Sequence, residues 1–174
     1  MSENLTKINK LTKLFRTFSA IISAISFVGA ALAIVGIIII VVTGKIDLAV
    51  FPGMKFETSS EAIAALISEF FSLICSGVIF LLAENCCNIG LRNQTPFTKE
   101  SAKAVLVFGI CEIALSPIPP LAAAIVSGVM DYEPAKDITN AGGFWFGACL
   151  LLFSLILGYG AELEERKKAK PDLE

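Results

Sequence analysis

Four stretches of the chain, about residues 17–44, 62–83, 104–130 and 138–161, are apolar and almost free of charge. The first and last carry no charged residue, and the middle two carry one carboxylate each, Glu69 and Glu112. A bilayer core about 30 Å thick needs roughly 20 apolar residues per helix, so each stretch is long enough to span. In hydrocarbon the backbone N–H and C=O groups have to be satisfied within the segment, and for runs of this length that means helix. The reading is an all-α integral membrane protein, a four-helix bundle running up-down-up-down. A hydrophobic share of 55% and a mean hydropathy of +0.76 agree with it, being more than a soluble core requires. No polar connection is long enough for a second domain. Residues 1–174 therefore read as one membrane domain with a helical tail over 162–174.

The basic residues before the first stretch, Lys7, Lys10, Lys13 and Arg16, resemble the start of a signal peptide. The apolar run behind them continues from Thr17 to Gly44, well beyond the 7–15 residues of a signal core, and is read as a retained span. Lys and Arg number four before the first span, three from Glu84 to Lys103 and four after Ala161, against two in Lys45–Glu61 and one in Asp131–Asp137. The rule that positive loops stay inside places both termini and the central loop in the cytoplasm. The charges are segregated by loop and not gathered on one surface, so no direct contact with nucleic acid is expected.

Catalysis finds no support. The chain has no histidine, which removes Ser-His and Cys-His nucleophile pairs and HExxH zinc chemistry. No lysine lies at membrane depth for a Ser–Lys pair, and there is no phosphate-binding glycine loop. Five cysteines, Cys75, Cys86, Cys87, Cys111 and Cys149, lie in the spans or at the inner end of the second, with no CxxC among them. They read as reduced packing residues. No enzyme activity, metal or cofactor is expected.

Within the spans, small and hydroxyl residues recur at helical spacing. The first span aligns Ser19, Ser23, Ser26, Ala30 and Ala33; the second Ala65, Ser68, Glu69, Ser72 and Ser76; the fourth Gly143, Gly147, Ser154 and Gly158. Helices in lipid associate through close approach and hydrogen bonds, so these faces are expected to meet one another, or a second copy in a homo-oligomer. The third span contains Ser116-Pro117-Ile118-Pro119-Pro120, which predicts a helix broken or kinked at Pro117–Pro120. Glu112 lies one turn before the break. Counted at 1.5 Å per residue from Glu61 and Lys103, Glu69 and Glu112 both come within roughly 12–14 Å of opposite faces, close to the midplane. An ionised carboxylate there costs about 2.5–3.5 kcal/mol on insertion scales, so at least one is expected to be protonated or cation-bound. Both are expected to face the bundle interior. Glu69, Glu112, Ser68, Ser72 and Ser116 are the ion or proton candidates; hydrogen-bonded structural glue is the competing role.

The central loop is the most distinctive local sequence. Asn93 to Pro96 reads as a turn and Thr98 as the N-cap of the third span, with Glu100 in the first turn. The Thr95-Pro96-Phe97-Thr98 motif, with a tail Tyr159-Gly160-Ala161-Glu162-Leu163-Glu164-Glu165, resembles an uncharacterised bacterial family of four-span membrane proteins (YoaS-like). The resemblance runs the length of the chain through the four-span layout, and those two motifs carry its specificity. It implies a membrane component acting with a small helix-turn-helix transcriptional regulator in the cytoplasm. The present tail departs from the family pattern by turning basic at Arg166-Lys167-Lys168-Ala169-Lys170.

Two readings follow. One is a non-catalytic membrane regulator or complex subunit, meeting a soluble partner through Arg92, Gln94, Pro96, Phe97 and Thr98. The other is a small proton- or cation-coupled transporter or channel subunit that uses Glu69 and Glu112. The topology is directly testable after removal of the native cysteines. Single cysteines in Lys45–Glu61 or Asp131–Asp137 will react with an impermeant thiol reagent on intact cells, and those in Glu84–Lys103 will not. Labelling of the central loop from outside would overturn the four-span assignment.

Overall fold

The computed structural model describes residues 3–44, 58–93, 95, 97–130 and 141–169. They form α1 (Glu3–Thr43), α2 (Ser59–Asn93), α3 (Lys99–Leu115), α4 (Ile118–Met130) and α5 (Ala141–Ala169). The third rod is made of two pieces, α3 and α4, joined by a bend at Ser116-Pro117. Four rods, Lys7–Thr43, Ser59–Asn93, Lys99–Val129 and Gly143–Lys167, are long and apolar enough to cross a membrane. The protein is an all-α, multi-pass four-helix bundle, with no strand among the described residues.

The helices outrun the apolar stretches. α1 has 41 residues and α2 has 35, so at 1.5 Å per residue they measure about 60 and 50 Å, well beyond a 30 Å core. The overrun lies mainly at one end of each: α1 is already helical at Glu3, ahead of the apolar run that starts at 17, and α2 continues to Asn93, past the end of its run at 83. α1 ends where Gly44 turns left-handed, φ 64°, and its N–H reaches the Ile40 carbonyl at 2.9 Å. α2 begins on Thr58, whose hydroxyl accepts the Glu61 N–H at 3.2 Å and whose carbonyl accepts that of Ala62 at 3.1 Å. The tail is helical through Ala169. The expected start of the fourth span at 138–140, nearly all of the loops 45–61 and 131–137, and 170–174 lie outside the described residues.

Large apolar side chains point outward: Ile21, Ile25, Val28, Leu32, Leu152 and Ile156 are all more than half exposed. The buried positions are small or hydroxylic, among them Ser19, Ser23, Ser26, Ala30, Ala33 and Ser154. This inverts the arrangement of a water-soluble protein. It suits a chain whose solvent is hydrocarbon, where outward Leu and Ile cost nothing and small residues let backbones approach.

The described residues divide into two compact units, one of those within 1–22, 79–114 and 142–174 and the other of those within 23–78 and 115–141. In the second, α1 and α2 pack antiparallel. The Ser23 hydroxyl donates to the Gly77 carbonyl at 3.0 Å, Phe27 seats on Gly77, and Leu73 on Gly29. Ala33, Ile40, Ala62 and Leu66 continue the seam. The predicted α1 face is thus wholly buried. The opposite side of α2, through Phe71, adjoins Ile118, Leu121, Ala122 and Ile125 of α4. The predicted α2 face does not form this seam: Ala65, Ser68, Ser72 and Ser76 are half-buried and Glu69 is exposed. With neighbours on both flanks, α2 buries Ala62, Leu66 and Gly77 on one side and Ala64 and Cys75 on the other, and the row between is left half-buried.

In the first unit α3 and α5 run antiparallel in near backbone contact. A Cβ at Gly109 would lie 3.0 Å from the Gly147 carbonyl oxygen, and one at Gly147 would lie 2.6 Å from Ile113 Cγ1. Phe108 and Phe146 meet edge to face at 6.2 Å beside this crossing. Gly143, Gly147 and Ser154 are buried as predicted, with Gly158 half-buried.

The break in the third rod has a local logic. Pro117 acts as the cap of α4, its carbonyl accepting the Leu121 N–H at 3.0 Å. A helix start leaves four N–H groups without intrahelical acceptors. Here three of those four positions, Pro117, Pro119 and Pro120, have no N–H at all, so the start of α4 exposes almost no unsatisfied donor at membrane depth.

These contacts make the glycines unequal. Gly147→Ala will destabilise the protein by about 1–3 kcal/mol through overpacking against backbone. Gly90→Ala, which meets nothing within 4 Å, will stabilise it by about 0.5–1 kcal/mol through helix entropy. Thermal unfolding in one detergent compares the two.

Candidate functional site

Two places gather polar chemistry. The first is Glu112, on α3 one turn before the bend. It is only 8% exposed, and its Oε2 has no hydrogen-bond partner among the described residues; Ser19 Oγ, fully buried on α1, is the other such atom. On the same stretch of α3, Pro117 withdraws the donor that the Ile113 carbonyl would take four residues on. A buried carboxyl oxygen with no donor is satisfied by its own proton or by a cation.

Glu69 does not share that environment. It lies in the second unit with Ser68 and Ser72, is exposed on α2, and makes no hydrogen bond or ion pair among the described residues. The expectation that both carboxyls face the interior therefore fails for Glu69. Equal depth placed them alike, but depth does not fix which way around its axis a helix points. Ser116 falls in the bend itself. Among the described residues no three His, Cys, Asp or Glu side chains come together as a metal site.

The second place is the connection from α2 to α3. Thr98 caps α3 as predicted: its Oγ1 accepts the Ser101 N–H at 3.0 Å and its carbonyl accepts that of Ala102 at 3.0 Å. The same hydroxyl accepts from Asn93 Nδ2 at 3.2 Å and donates to Ser101 Oγ at 2.8 Å. Arg92 pairs with Glu100, and Asn93 Nδ2 also reaches Glu100 at 3.1 Å. The Phe97 N–H turns back to Thr95 Oγ1 at 3.3 Å. Gln94 and Pro96 lie outside the described residues.

This connection is fastened to α5. The Phe97 ring covers Gly160 so closely that a Cβ there would overlap Phe97 Cδ1. Lys99 Nζ meets Glu165 Oε2 at 2.8 Å. Thr95, Phe97, Thr98 and Lys99 face Ala161, Glu164 and Glu165 across a small open cleft of about 150 Å³. Gly160 and Glu165 were not among the sequence candidates, although the loop motif and the tail motif were each singled out. The missed signal was the Tyr-Gly-Ala step, a side chain missing from an otherwise bulky helix, where an aromatic from elsewhere can sit. Compared with protein-family models, curated proteins and solved structures, the chain matches none.

Gly160→Leu will expel Phe97 from its seat and release α5 from the loop, so trypsin will cut at Arg166 and Lys167 several-fold faster than in the native protein. Lys99→Gln will change that rate little, since an exposed pair contributes about 0.2–1 kcal/mol. Equal protection of Gly160→Leu and native protein would mean that Phe97 does not fasten the tail.

Proposed function

We propose that the protein is a non-catalytic bacterial inner-membrane component that holds a soluble cytoplasmic partner at the membrane. The observation that carries this reading is the braced loop–tail assembly. Arg92, Asn93, Thr98 and Glu100 fix the loop, and Phe97 and Lys99 fasten it to α5. Polar interactions concentrated at one helical end, on rigid supports, make a surface that a partner can read. The excess of Lys and Arg around this end supports its cytoplasmic placement. The resemblance to the YoaS-like family rests on the two motifs that meet there, and it supports a small helix-turn-helix regulator as the partner. Of the proposed recognition residues, Arg92 and Thr98 already serve the loop's own structure, so the partner is read by their outward atoms and by Phe97, which keeps 44% of its surface exposed.

A second reading, proton or cation coupling, draws its support from the unpartnered Oε2 of Glu112. One experiment separates the two. Arg92→Ala with Phe97→Ala will leave membrane levels unchanged and reduce both co-purification of the soluble partner and expression control of the adjacent operon. Glu112→Gln will leave both unchanged. If vesicles carrying native protein instead show pH- or cation-dependent flux that Glu112→Gln abolishes, the coupling reading replaces the first.

A further inference from the structure

An open groove of about 380 Å³ runs along the α3–α5 face of the first unit. Lys103, Tyr159 and Glu162 line its polar end, Ala102 and Gly158 follow, and Leu106, Leu155 and Ser154, whose hydroxyl donates to the Leu151 carbonyl at 2.8 Å, line it toward the apolar stretch. From Glu162 to Leu155 it extends about 10 Å along α5, from the polar end of the helix into the apolar stretch. Leu106, Leu155 and Tyr159 are all exposed there. Gly158 keeps the floor low: a Cβ at that position meets only the Ala102 Cβ, at 3.9 Å.

Lys99, the other cation on α3, is ion-paired with Glu165 and also feels the Glu162 carboxylate at longer range. Lys103 and Glu162 form no ion pair among the described residues. One cation, one carboxylate and a phenol at the level where Lys and Tyr meet headgroups, above an apolar trough, complement a ligand with a phosphate, an ammonium and a hydrocarbon chain. We propose that this groove seats one phosphatidylethanolamine from the adjoining leaflet, with its phosphate on Lys103, its ammonium on Glu162 and an acyl chain between Leu106 and Leu155. The primary ammonium matters, since it donates hydrogen bonds to a carboxylate whereas a trimethylated headgroup has no N–H to give.

The test is native mass spectrometry of the full chain in mixed micelles holding phosphatidylethanolamine, phosphatidylcholine and phosphatidylglycerol of identical acyl chains. The native protein will retain one phosphatidylethanolamine roughly threefold more than either competitor, the scale of one half-exposed ion pair. Glu162→Gln will erase the preference over phosphatidylglycerol, and Lys103→Gln will lower retention of all three phosphate-bearing lipids. Gly158→Leu, which fills the trough, will abolish specific retention while thermal unfolding confirms the fold. Lys167→Gln, a cation outside the groove, will retain the native pattern. Equal retention of the three lipids by native protein, or an ethanolamine preference that survives Glu162→Gln or Gly158→Leu, overturns the assignment.

Discussion

The absence of water along most of this chain is the constraint on which the rest of the structure depends. With hydrocarbon outside, packing large apolar side chains inward brings no solvent release, and Ile25, Leu32 and Leu155 sit on the surface. What remains to hold helices together is close contact and a few hydrogen bonds. The seams are accordingly made of seats: Gly77 under Phe27, Gly29 under Leu73, Gly109 against Gly147. Each works because one helix gives up a side chain where the other supplies bulk or backbone.

The same constraint governs the polar atoms. Ser23 survives in a seam because the Gly77 carbonyl takes its hydrogen bond. The break between α3 and α4 survives because prolines occupy the positions whose N–H groups would have been stranded. Glu112 stands out against this economy, since one of its carboxyl oxygens is buried without a donor. The proposed proton- or cation-coupling reading rests on that atom.

At the polar end of the first unit the chemistry changes character. Water competes there, individual ion pairs such as Lys99–Glu165 are weak, and order comes from combination. A capped helix start, an amide shared between Thr98 and Glu100, and an aromatic ring pressed on a glycine together make one braced surface. Two sequence motifs separated by more than sixty residues become one structural feature because Phe97 needs a flat seat and Gly160 provides it.

The sequence by itself determined the all-α class, the four spans, the bend at the proline cluster, the Thr98 cap, and the buried faces of α1 and most of α5. These follow from composition, periodicity and local backbone chemistry, which act over a few residues. Only the tertiary structure decided the rest. It left the small-residue row of α2 half-buried and Glu69 exposed while Glu112 was buried, because helix rotation is set by which neighbours press on which flank. It carried α1 back to Glu3 and α2 on to Asn93, beyond their apolar stretches, since intrahelical hydrogen bonds continue where hydropathy falls. It also joined the loop to the tail and opened the groove beside Lys103 and Glu162, since contacts between α3 and α5 depend on antiparallel register, which no local pattern encodes.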